Sequence, residues 1–436
     1  MACPRVCLGV RLSLRVAQKT GTPANVPQRL LPPLCQLTRG FQVVVQHHEH
    51  HMQQALQLAA RGQGCTSPNP LVGCVIVRDD KVIGEGWHAV YGHAHAEVNA
   101  LNDARNKGHD PRGATLYVTL EPCHHHGLTP PCTQAIAQAG IAVVVYAMAD
   151  PNPKAAGGAH WLESQGVTLI SGTLESEARE QNRFFLKHVR TALPYVIAKS
   201  ATSLDGRVST RTGHSQWITG PDARERGHDL RQQVDAILVG ADTVIADDPS
   251  LTVRLPESVC AKERVRHPRP VVLDSTGRVP PTAKLLNGSL TTQTLVITTD
   301  QMNAEHCRLL ESRGVEVIRV NKHSGTNFTD PVAILEALGQ KGIQSLLIEG
   351  GPSVHGSFRD AGLIDEIWNF IAPTLIGGEQ ARAAFAGVGS DTLGEATALG
   401  DLQVETVGND LLVRARVIHQ DQTDDDCSPV INSTIE

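Results

Sequence analysis

The sequence predicts an α/β protein of two domains. Three observations carry that expectation. Segments with strand-like and helix-like periodicity alternate along most of the chain. At 436 residues the chain exceeds what one typical core fills. A stretch rich in Pro, Gly and Ala at 150–158 is followed by a fresh strand–helix pattern from Pro194.

In the first half, 52–61 reads as an amphipathic helix. Residues 72–77 and 82–87 read as two strands joined by a turn at Asp79-Asp80. A helix at 96–105, a strand at 114–120, a helix at 131–139 and a strand at 141–148 follow. Beyond the loop, 161–167 offers a short helix and 174–191 a longer one. In the second half, strands are expected at 195–199, 236–239, 270–273, 294–297, 315–320, 345–348 and 366–371, with helices in most gaps. The domains are therefore expected at 49–190 and 191–419, and no internal repeat suggests a solenoid.

Residues 1–48 carry Arg5, Arg11, Arg15, Lys19, Arg29 and Arg39 but no acid. That composition suits either an organelle transit peptide or a start assigned too far upstream. The helical pattern begins only at Met52, which favours the second reading, so 1–48 is set aside as an extension. The acidic tail at 420–436 is expected to be disordered.

Composition excludes several classes. The chain is 41% hydrophobic and 19% charged, as in an ordinary globular protein, and its net charge of -6 argues against a nucleic-acid partner. No apolar run reaches the roughly 18 residues of a membrane span. Ten scattered cysteines are too sparse for a disulfide scaffold and suit a reducing, cytoplasmic compartment.

The most informative residues are His95-Ala96-Glu97 and the string from Glu121-Pro122-Cys123 to Pro130-Pro131-Cys132. Catalytic zinc takes three protein ligands and leaves a position for water, and His95, Cys123 and Cys132 meet that count. Zinc lowers the pKa of water towards neutrality. Glu97, two residues past the histidine, could move protons without binding metal, the division of labour of zinc deaminases. Eight residues (124–131) separate the cysteines, where the usual signature has two. Taken singly, His95 or either cysteine would read as a core residue. A closed structural zinc site would need a fourth ligand, which one of His124, His125 and His126 could supply. Otherwise these three are loop histidines near substrate or solvent. Cys65 and Cys74 read as packing residues, and His47, His48, His50 and His51 receive no role.

The second half holds no Gly-x-Gly-x-x-Gly after a strand. It holds Lys199-Ser-Ala-Thr-Ser-Leu204-Asp205-Gly206-Arg207, then Gly213-His-Ser215-Gln216-Trp217-Ile218-Thr219 and Leu230-Arg231. Gly240-Ala-Asp-Thr243-Val-Ile-Ala-Asp247-Asp-Pro249, Leu251-Thr252-Val253-Arg254 and Ile348-Glu349-Gly350-Gly351-Pro352-Ser353 complete the set. Asp205 reads as the holder of a turn.

The Glu-Pro-Cys-His-His-His-Gly-Leu-Thr-Pro-Pro-Cys string resembles the bifunctional riboflavin-biosynthesis deaminase/reductase (RibD) family, whose deaminase carries this longer insert. Ser67-Pro68-Asn69-Pro70-Leu71-Val72-Gly73 and Gly86-Trp87-His88 are similar to the same half, and the later strings to the reductase half. The resemblance spans about residues 52–419. His93-Ala94 depart from the family's usual residues.

The resemblance implies a cytidine-deaminase-like α/β/α domain followed by a dihydrofolate-reductase-like α/β domain. It implies zinc and NADPH as cofactors, phosphorylated pyrimidines as substrates and a possible homo-oligomer. It places Asn69 and His88 at the deaminase substrate. Ser215, Arg231, Leu251, Arg254 and Glu349 would face the reductase substrate. Ala201, Trp217, Thr243, Asp247, Ser275 and the run Gly351, Pro352, Ser353, Val354, His355, Gly356 and Ser357 would face NADPH. The chemistry is consistent with this. A Gly-Gly turn into a helix N-terminus lets backbone N–H groups approach a diphosphate, and Arg231 and Arg254 suit bidentate phosphate binding. A nucleoside or tRNA deaminase with an unrelated appendage is the competing reading, and a binding protein with a degenerate site is a third.

Overall fold

Two sheets organise the molecule. The computed structural model describes residues 34–153, 155–256 and 265–419. The chain divides into a short unit, Met1–His47, and a large one, His48–Glu436. Helix α1 is Leu34–Ala60, so it begins inside the segment that composition set aside. An arginine-rich, acid-free composition does not oppose a helix, since Leu, Gln and Arg are good helix formers. Residues 1–33 and 420–436 lie outside the described residues.

The first sheet is built from β1 (Gly73–Arg78), β2 (Lys81–Trp87), β3 (Thr115–Leu120), β4 (Val143–Met148) and β5 (Thr168–Ser171), in the order β2-β1-β3-β4-β5. The β1–β2 hairpin turns at Asp79 and Asp80, both at positive φ, as expected of the turn read there. Between the strands come α2 (Ala96–Asn106), α3 (Cys132–Gln138) and α4 (Gly158–Ser164). Two further helices, α5 (Glu175–Gln181) and α6 (Arg183–Thr191), stand where one was expected. The break falls at Asn182. Its Nδ2 donates to the Leu71 carbonyl (3.0 Å), and its Oδ1 accepts from the Leu71 N–H (2.7 Å). A tertiary contact thus ends the helix. Strand β5 was not read at all.

Alternation places this sheet's core on two faces. Ile76, Leu116, Val118 and Val144 pack with Ala96, Ala100 and Ala104 of α2. Val75, Tyr117 and Val145 pack with Met52, Ala55 and Leu56 of α1 and with Phe185 and Leu186 of α6. Glycines bring the helices close. A Cβ on Gly86 would lie 2.3 Å from the Ala100 nitrogen and 2.4 Å from the Ala96 oxygen. One on Gly84 would lie 2.4 Å from the Ala100 oxygen, and one on Gly73, on the other face, 1.9 Å from the Ala55 oxygen.

The second sheet contains β6 (Tyr195–Ser203), β7 (Ala236–Gly240), β8 (Arg269–Leu273), β9 (Leu295–Thr298), β10 (Glu316–Arg319), β11 (Ser345–Ile348), β12 (Glu366–Ala372), β13 (Leu399–Val407) and β14 (Asp410–Val417). Their order is β10-β9-β8-β7-β11-β6-β12-β14-β13, parallel except at the antiparallel edge hairpin β13–β14. That hairpin was also missed. Helices α7 (Pro221–Gln233), α8 (Ala241–Asp247), α9 (Ala304–Ser312), α10 (Pro331–Gln340) and α11 (Pro352–Asp360) complete the fold. Ile237, Val239, Val272 and Leu347 face one core, and Leu238, Val271, Leu346 and Ile348 the other. No described helix is long and apolar enough to cross a membrane.

Polar contacts tie the two sheets together. Arg183 Nε on α6 donates to Glu366 Oε2 on β12 (3.2 Å), and Gln63 Nε2 to Gln233 Oε1 (3.0 Å). Arg266 bonds the Gly64 carbonyl, and Gln344 Nε2 donates to the Pro68 carbonyl (2.8 Å).

The Gly86 contact yields a prediction. Its neighbours are helix backbone, so a methyl group there can be accommodated only by moving α2. Gly86→Ala is expected to cost about 1–3 kcal/mol, the usual range for overpacking. Thermal unfolding should show a lowered Tm, with weaker zinc retention because α2 carries His95 at its start.

Candidate active sites

Three side chains with metal-ligand chemistry meet just past the end of β3. His95 immediately precedes α2, Cys132 is the first residue of α3, and Cys123 follows β3 by three residues. Their ligand atoms all lie within 4.8 Å of one another. His95 Nδ1 is 3.2 Å from Cys132 Sγ and 3.6 Å from Cys123 Sγ. The Cys132 backbone N–H donates to Cys123 Sγ (3.5 Å). A hydrogen bond from the Cys132 thiol, with help from His95, holds the Cys123 thiol well below its usual range against the opposing effect of burial. Thr129 Oγ1 lies 3.4 Å from His95 Nε2. A proton on Nε2, shared with Thr129, leaves Nδ1 free to ligate. One imidazole nitrogen and two thiolates with a fourth position open form a catalytic zinc donor set.

Glu97 is buried in the first turn of α2. Burial first, and the Cys123 charge second, raise its carboxyl to about 7. A cavity of about 460 Å³ is lined by Asn69, His88, His95, Glu97 and Cys123, with Glu121, His125, Thr129 and Asp150. His88 is buried, and burial lowers its pKa, so the ring is neutral. Its Nδ1 lies 3.2 Å from the Ala94 carbonyl, and its Nε2 lies 3.2 Å from Asn69 Nδ2. Only one tautomer serves both contacts: Nδ1–H donates to the carbonyl and Nε2 accepts from the amide. That fixes the Asn69 amide and leaves Oδ1 as its acceptor at the cavity.

The three adjacent histidines separate. His124 stacks on Trp161 and reaches Thr133 Oγ1 (2.9 Å), His125 lines the cavity, and His126 is exposed. Cys74 is buried in the core as a packing residue, and Cys65 is half-buried. Residue patterns had marked no role for Glu121. Its carboxylate accepts from the backbone N–H groups of Asp150, Gly157 and Ala159 and pins the following loop. Phe185, His188 and Val189 of α6 also line the cavity, as does Gln344 from beside β11. No local pattern marks them, because packing brings them from far along the chain.

A second cavity, of about 1050 Å³, opens beside the nine-stranded sheet. Ala201, Ser215, Trp217, Thr243, Asp247, Ser275 and Glu349 line it, together with Gly351, Pro352, Ser353, Val354, His355 and Ser357. Gly350 packs flat on β7, where a Cβ would lie 2.4 Å from the Val239 Cα, and Gly351 has φ +65°. The chain thereby delivers the start of α11 to the cavity with no side chain in the way. That arrangement fits a dinucleotide diphosphate.

Two residues of the expected cofactor run serve the scaffold instead. Gly356 is buried against the Ala386 backbone and does not line the cavity. His355 touches the cavity, but its ring nitrogens face the carbonyls of Ala384 (3.2 Å) and Ile348 (3.1 Å). Asp205 holds its turn: it accepts from Ser203 Oγ and from the N–H groups of Ile376 and Gly377.

Arg231 is also corrected as a phosphate fork. Its Nε and Nη2 donate to the two Glu349 oxygens at 2.7 and 2.8 Å, and Nη1 donates to the Thr252 carbonyl at 3.0 Å. Burial works to raise the Glu349 carboxyl, but Arg231 and Lys199 outweigh it and hold it down to about 2. Leu251 is buried at positive φ and does not line the cavity. Arg254 is exposed and likewise does not line the cavity, with no ion pair among the described residues. Residue patterns assign Lys199 no role. It lines the cavity from β6, and burial lowers its pKa despite the Glu349 charge nearby. A lysine directly after the apolar run 195–198 was the available signal. His228 sits in the same field with no partner for Nδ1 among the described residues, its pKa lowered to about 4 by burial and by Arg231 and Arg254.

Comparison with known proteins agrees with this division. Residues 45–148 match the cytidine and deoxycytidylate deaminase zinc-binding region, and residues 194–413 match the RibD C-terminal domain. The riboflavin biosynthesis protein RibD of Bacillus amyloliquefaciens is 43% identical, over 84% of this chain and 95% of its own length. That of Escherichia coli is 41% identical, over 83% of this chain and 97% of its own. The solved Acinetobacter baumannii RibD (form 2) has a TM-score of 0.76 at 39% identity, covering 86% of this chain and 99% of its own. The Thermotoga maritima diaminohydroxyphosphoribosylaminopyrimidine deaminase/5-amino-6-(5-phosphoribosylamino)uracil reductase has a TM-score of 0.74 at 34% identity, covering 86% and 99%. The match to the second half disfavours a nucleoside deaminase with an unrelated appendage.

The donor set sets the metal expectation. Purified protein should hold about one zinc per chain, and Cys132→Ser should lose most of it. Metal analysis of both proteins checks this. Full retention in the variant would show that Cys132 is not a ligand.

Proposed function

The chain belongs to the RibD family of riboflavin-biosynthesis proteins, and from that premise we propose how its two cavities divide the work. The protein is a bifunctional enzyme of riboflavin biosynthesis, a zinc-dependent deaminase and an NADPH-dependent reductase. We assign residues 49–190 to the deaminase and 191–419 to the reductase. The restart of strand pairing at β6 supports that assignment.

The deaminase substrate is 2,5-diamino-6-(5-phosphoribosylamino)pyrimidin-4(3H)-one. His95, Cys123 and Cys132 would hold the zinc, which would supply Lewis acidity that makes water nucleophilic near neutral pH. Glu97 takes the proton of the attacking water on a carboxylate oxygen. It delivers that proton to the ring nitrogen, then moves the second water proton, from the hydroxyl now on the ring carbon, to the amine, which departs as ammonia. A carboxyl raised to about 7 can do both at neutral pH. Asn69 Oδ1, oriented through His88, accepts from a ring or exocyclic N–H of the pyrimidine.

The aminouracil product is the reductase substrate. Residues 351–354, Ser357, Thr243 and Ser275 would hold NADPH, which would supply a hydride to the sugar carbon bonded to the exocyclic amino nitrogen of the pyrimidine. Opening the ribose ring to ribityl also requires one proton on the former ring oxygen. Lys199 Nζ lines the cavity, and with its lowered pKa it is the acid placed to give that proton. Glu349 stays anionic and orders Lys199 and Arg231 around the sugar. Arg254, exposed and without an ion pair among the described residues, anchors the phosphate. Both reactions belong in the cytoplasm, where free cysteines stay reduced.

The observation that carries this reading is the meeting of His95, Cys123, Cys132 and buried Glu97 at one cavity. Incubation with the diaminopyrimidine phosphate and NADPH should release ammonia and then consume NADPH absorbance. Glu97→Gln should retain zinc and lose about 10²–10⁴-fold in deamination, the usual size of acid–base catalysis. Loss of zinc in that variant would mean that Glu97 is a ligand instead. Arg254→Ala should raise the reductase KM about 10–150-fold, as expected for a charge-assisted bond worth about 1.5–3 kcal/mol. Deamination and NADPH affinity should be unaffected, which steady-state kinetics of each half-reaction can measure.

A further inference from the structure

The deaminase cavity borrows one polar side chain from the other half of the chain. Gln344 stands just before β11 in the nine-stranded sheet, 5% exposed, yet it lines the deaminase cavity. Its backbone is fixed within its own half. Its N–H donates to Asp235 Oδ2 (3.0 Å), and its carbonyl accepts from the Tyr195 N–H (2.7 Å). Asp235 Oδ2 also accepts from the N–H and Oγ of Ser345, and its Oδ1 faces Arg266 Nη2 (3.3 Å). Arg266 in turn bonds the Gly64 carbonyl in the deaminase half. From this anchored backbone the Gln344 side chain crosses between the halves, and its Nε2 donates to the Pro68 carbonyl (2.8 Å).

Pro68 is the residue before Asn69. The segment around them has few holds of its own. The Asn69 N–H bonds the Thr66 carbonyl (2.8 Å), and Asn182 grips Leu71. The Asn69–His88 contact orients the amide but does not fix the backbone that carries it. Among the described residues, the hydrogen bond that reaches the backbone between Thr66 and Leu71 from the other half is the one from Gln344.

We propose that Gln344 is a positioning residue of the deaminase. It sets the Pro68–Asn69 backbone so that the Asn69 amide meets the pyrimidine, and the deaminase pocket is complete only in the presence of the reductase half. This rests on the assignment of Asn69 to the substrate. Gln344 acts on binding geometry and not on proton transfer, so its loss appears in KM while kcat holds.

The test uses full-length Gln344→Leu, which keeps the bulk of the side chain and removes the donor, and Gln344→Lys, which restores one. Asn69→Ala and the Asn69→Ala/Gln344→Leu pair complete a double-mutant cycle. Deamination of the diaminopyrimidine phosphate, reduction of the aminouracil phosphate and zinc content are measured for each. The expected result for Gln344→Leu is a deaminase KM raised about five- to tenfold, the scale of one neutral hydrogen bond. Its kcat, zinc content and reductase constants stay at wild-type values. Gln344→Lys recovers most of the loss, and Gln344→Leu adds little on the Asn69→Ala background.

An unchanged deaminase KM in Gln344→Leu, beside a raised one in Asn69→Ala, overturns this inference alone. An unchanged KM in Asn69→Ala overturns the assignment on which it rests. A parallel fall of both activities in Gln344→Leu and Gln344→Lys also overturns it, since that marks a residue needed only for folding.

Discussion

The deaminase site depends on how closely two helices can lie on the β1–β2 hairpin. Zinc chemistry needs three ligand atoms in one small volume, and one of them, His95, immediately precedes α2. Its position is therefore the position of α2. Gly84 and Gly86 let that helix rest with its backbone against the strand, and Ala96, Ala100 and Ala104 keep the same contact thin from the helix side. Gly73 does the equivalent for α1 on the opposite face. Any larger side chain at these points would lift a helix by an ångström or more. A shift of that size is what catalytic geometry tolerates least. The glycines of Gly86-Trp87-His88 and Leu71-Val72-Gly73, which look like sequence signatures, are thus packing requirements of the metal site.

Much of this was legible in the chain, for physical reasons. Cys123, Cys132, His95 and Glu97 announce themselves because few other chemistries need those four residue types in that order. The turn at Asp79-Asp80 and the buried parallel strands carry their own periodicity or composition. What stayed hidden depends on partners distant in sequence. The helix break at Asn182 follows from its bonds to Leu71, not from any local breaker. The hairpin β13–β14 lies at the sheet edge and β13 is almost wholly exposed, so its side chains carry little record of burial. Arg231 looks like a phosphate fork until Glu349, over a hundred residues away, is found holding both prongs. Gln344 and His188 fall in the same category: glutamine beside a strand and histidine on a helix look ordinary until the second sheet and α6 arrive at the cavity wall.

The two halves are also joined differently from two beads on a string. Helix α6 is shared: Phe185 and Leu186 pack under the first sheet, while Arg183 and Lys187 on the same helix pair with Glu366 and Asp365 at β12. Glu366 further accepts from Tyr195 Oη and Trp368 Nε1, so the ion pair is embedded in a satisfied hydrogen-bond cluster. Buried pairs of this kind add modestly to stability, but breaking one strands a charge. Their effect is to fix how one half sits on the other. Without that fixed seating a side chain from beside β11 could not meet the Pro68 carbonyl at hydrogen-bond distance.

Two buried glutamates show how the fold assigns roles to one residue type. Both lie in cavities, and burial pushes both carboxyls upward. At Glu97 little opposes it: the nearby His95 offers a partial counter-charge while Cys123 adds a negative one, and the carboxyl rises to about 7. At Glu349 two cations oppose burial. Arg231 grips it in a bidentate pair and Lys199 stands close by, and the carboxyl is held down to about 2. A carboxyl near 7 gains and loses protons at working pH and suits a proton carrier. A carboxyl near 2 never does, and it suits a fixed negative charge that holds cations in place. The difference follows from the presence of Arg231 and Lys199 beside one glutamate and their absence beside the other. Deamination asks one group to pick up and release protons repeatedly, while sugar reduction asks for an electrostatic frame around an incoming hydride. The fold thus gives one residue type two protonation behaviours by placing cations beside one glutamate and not beside the other.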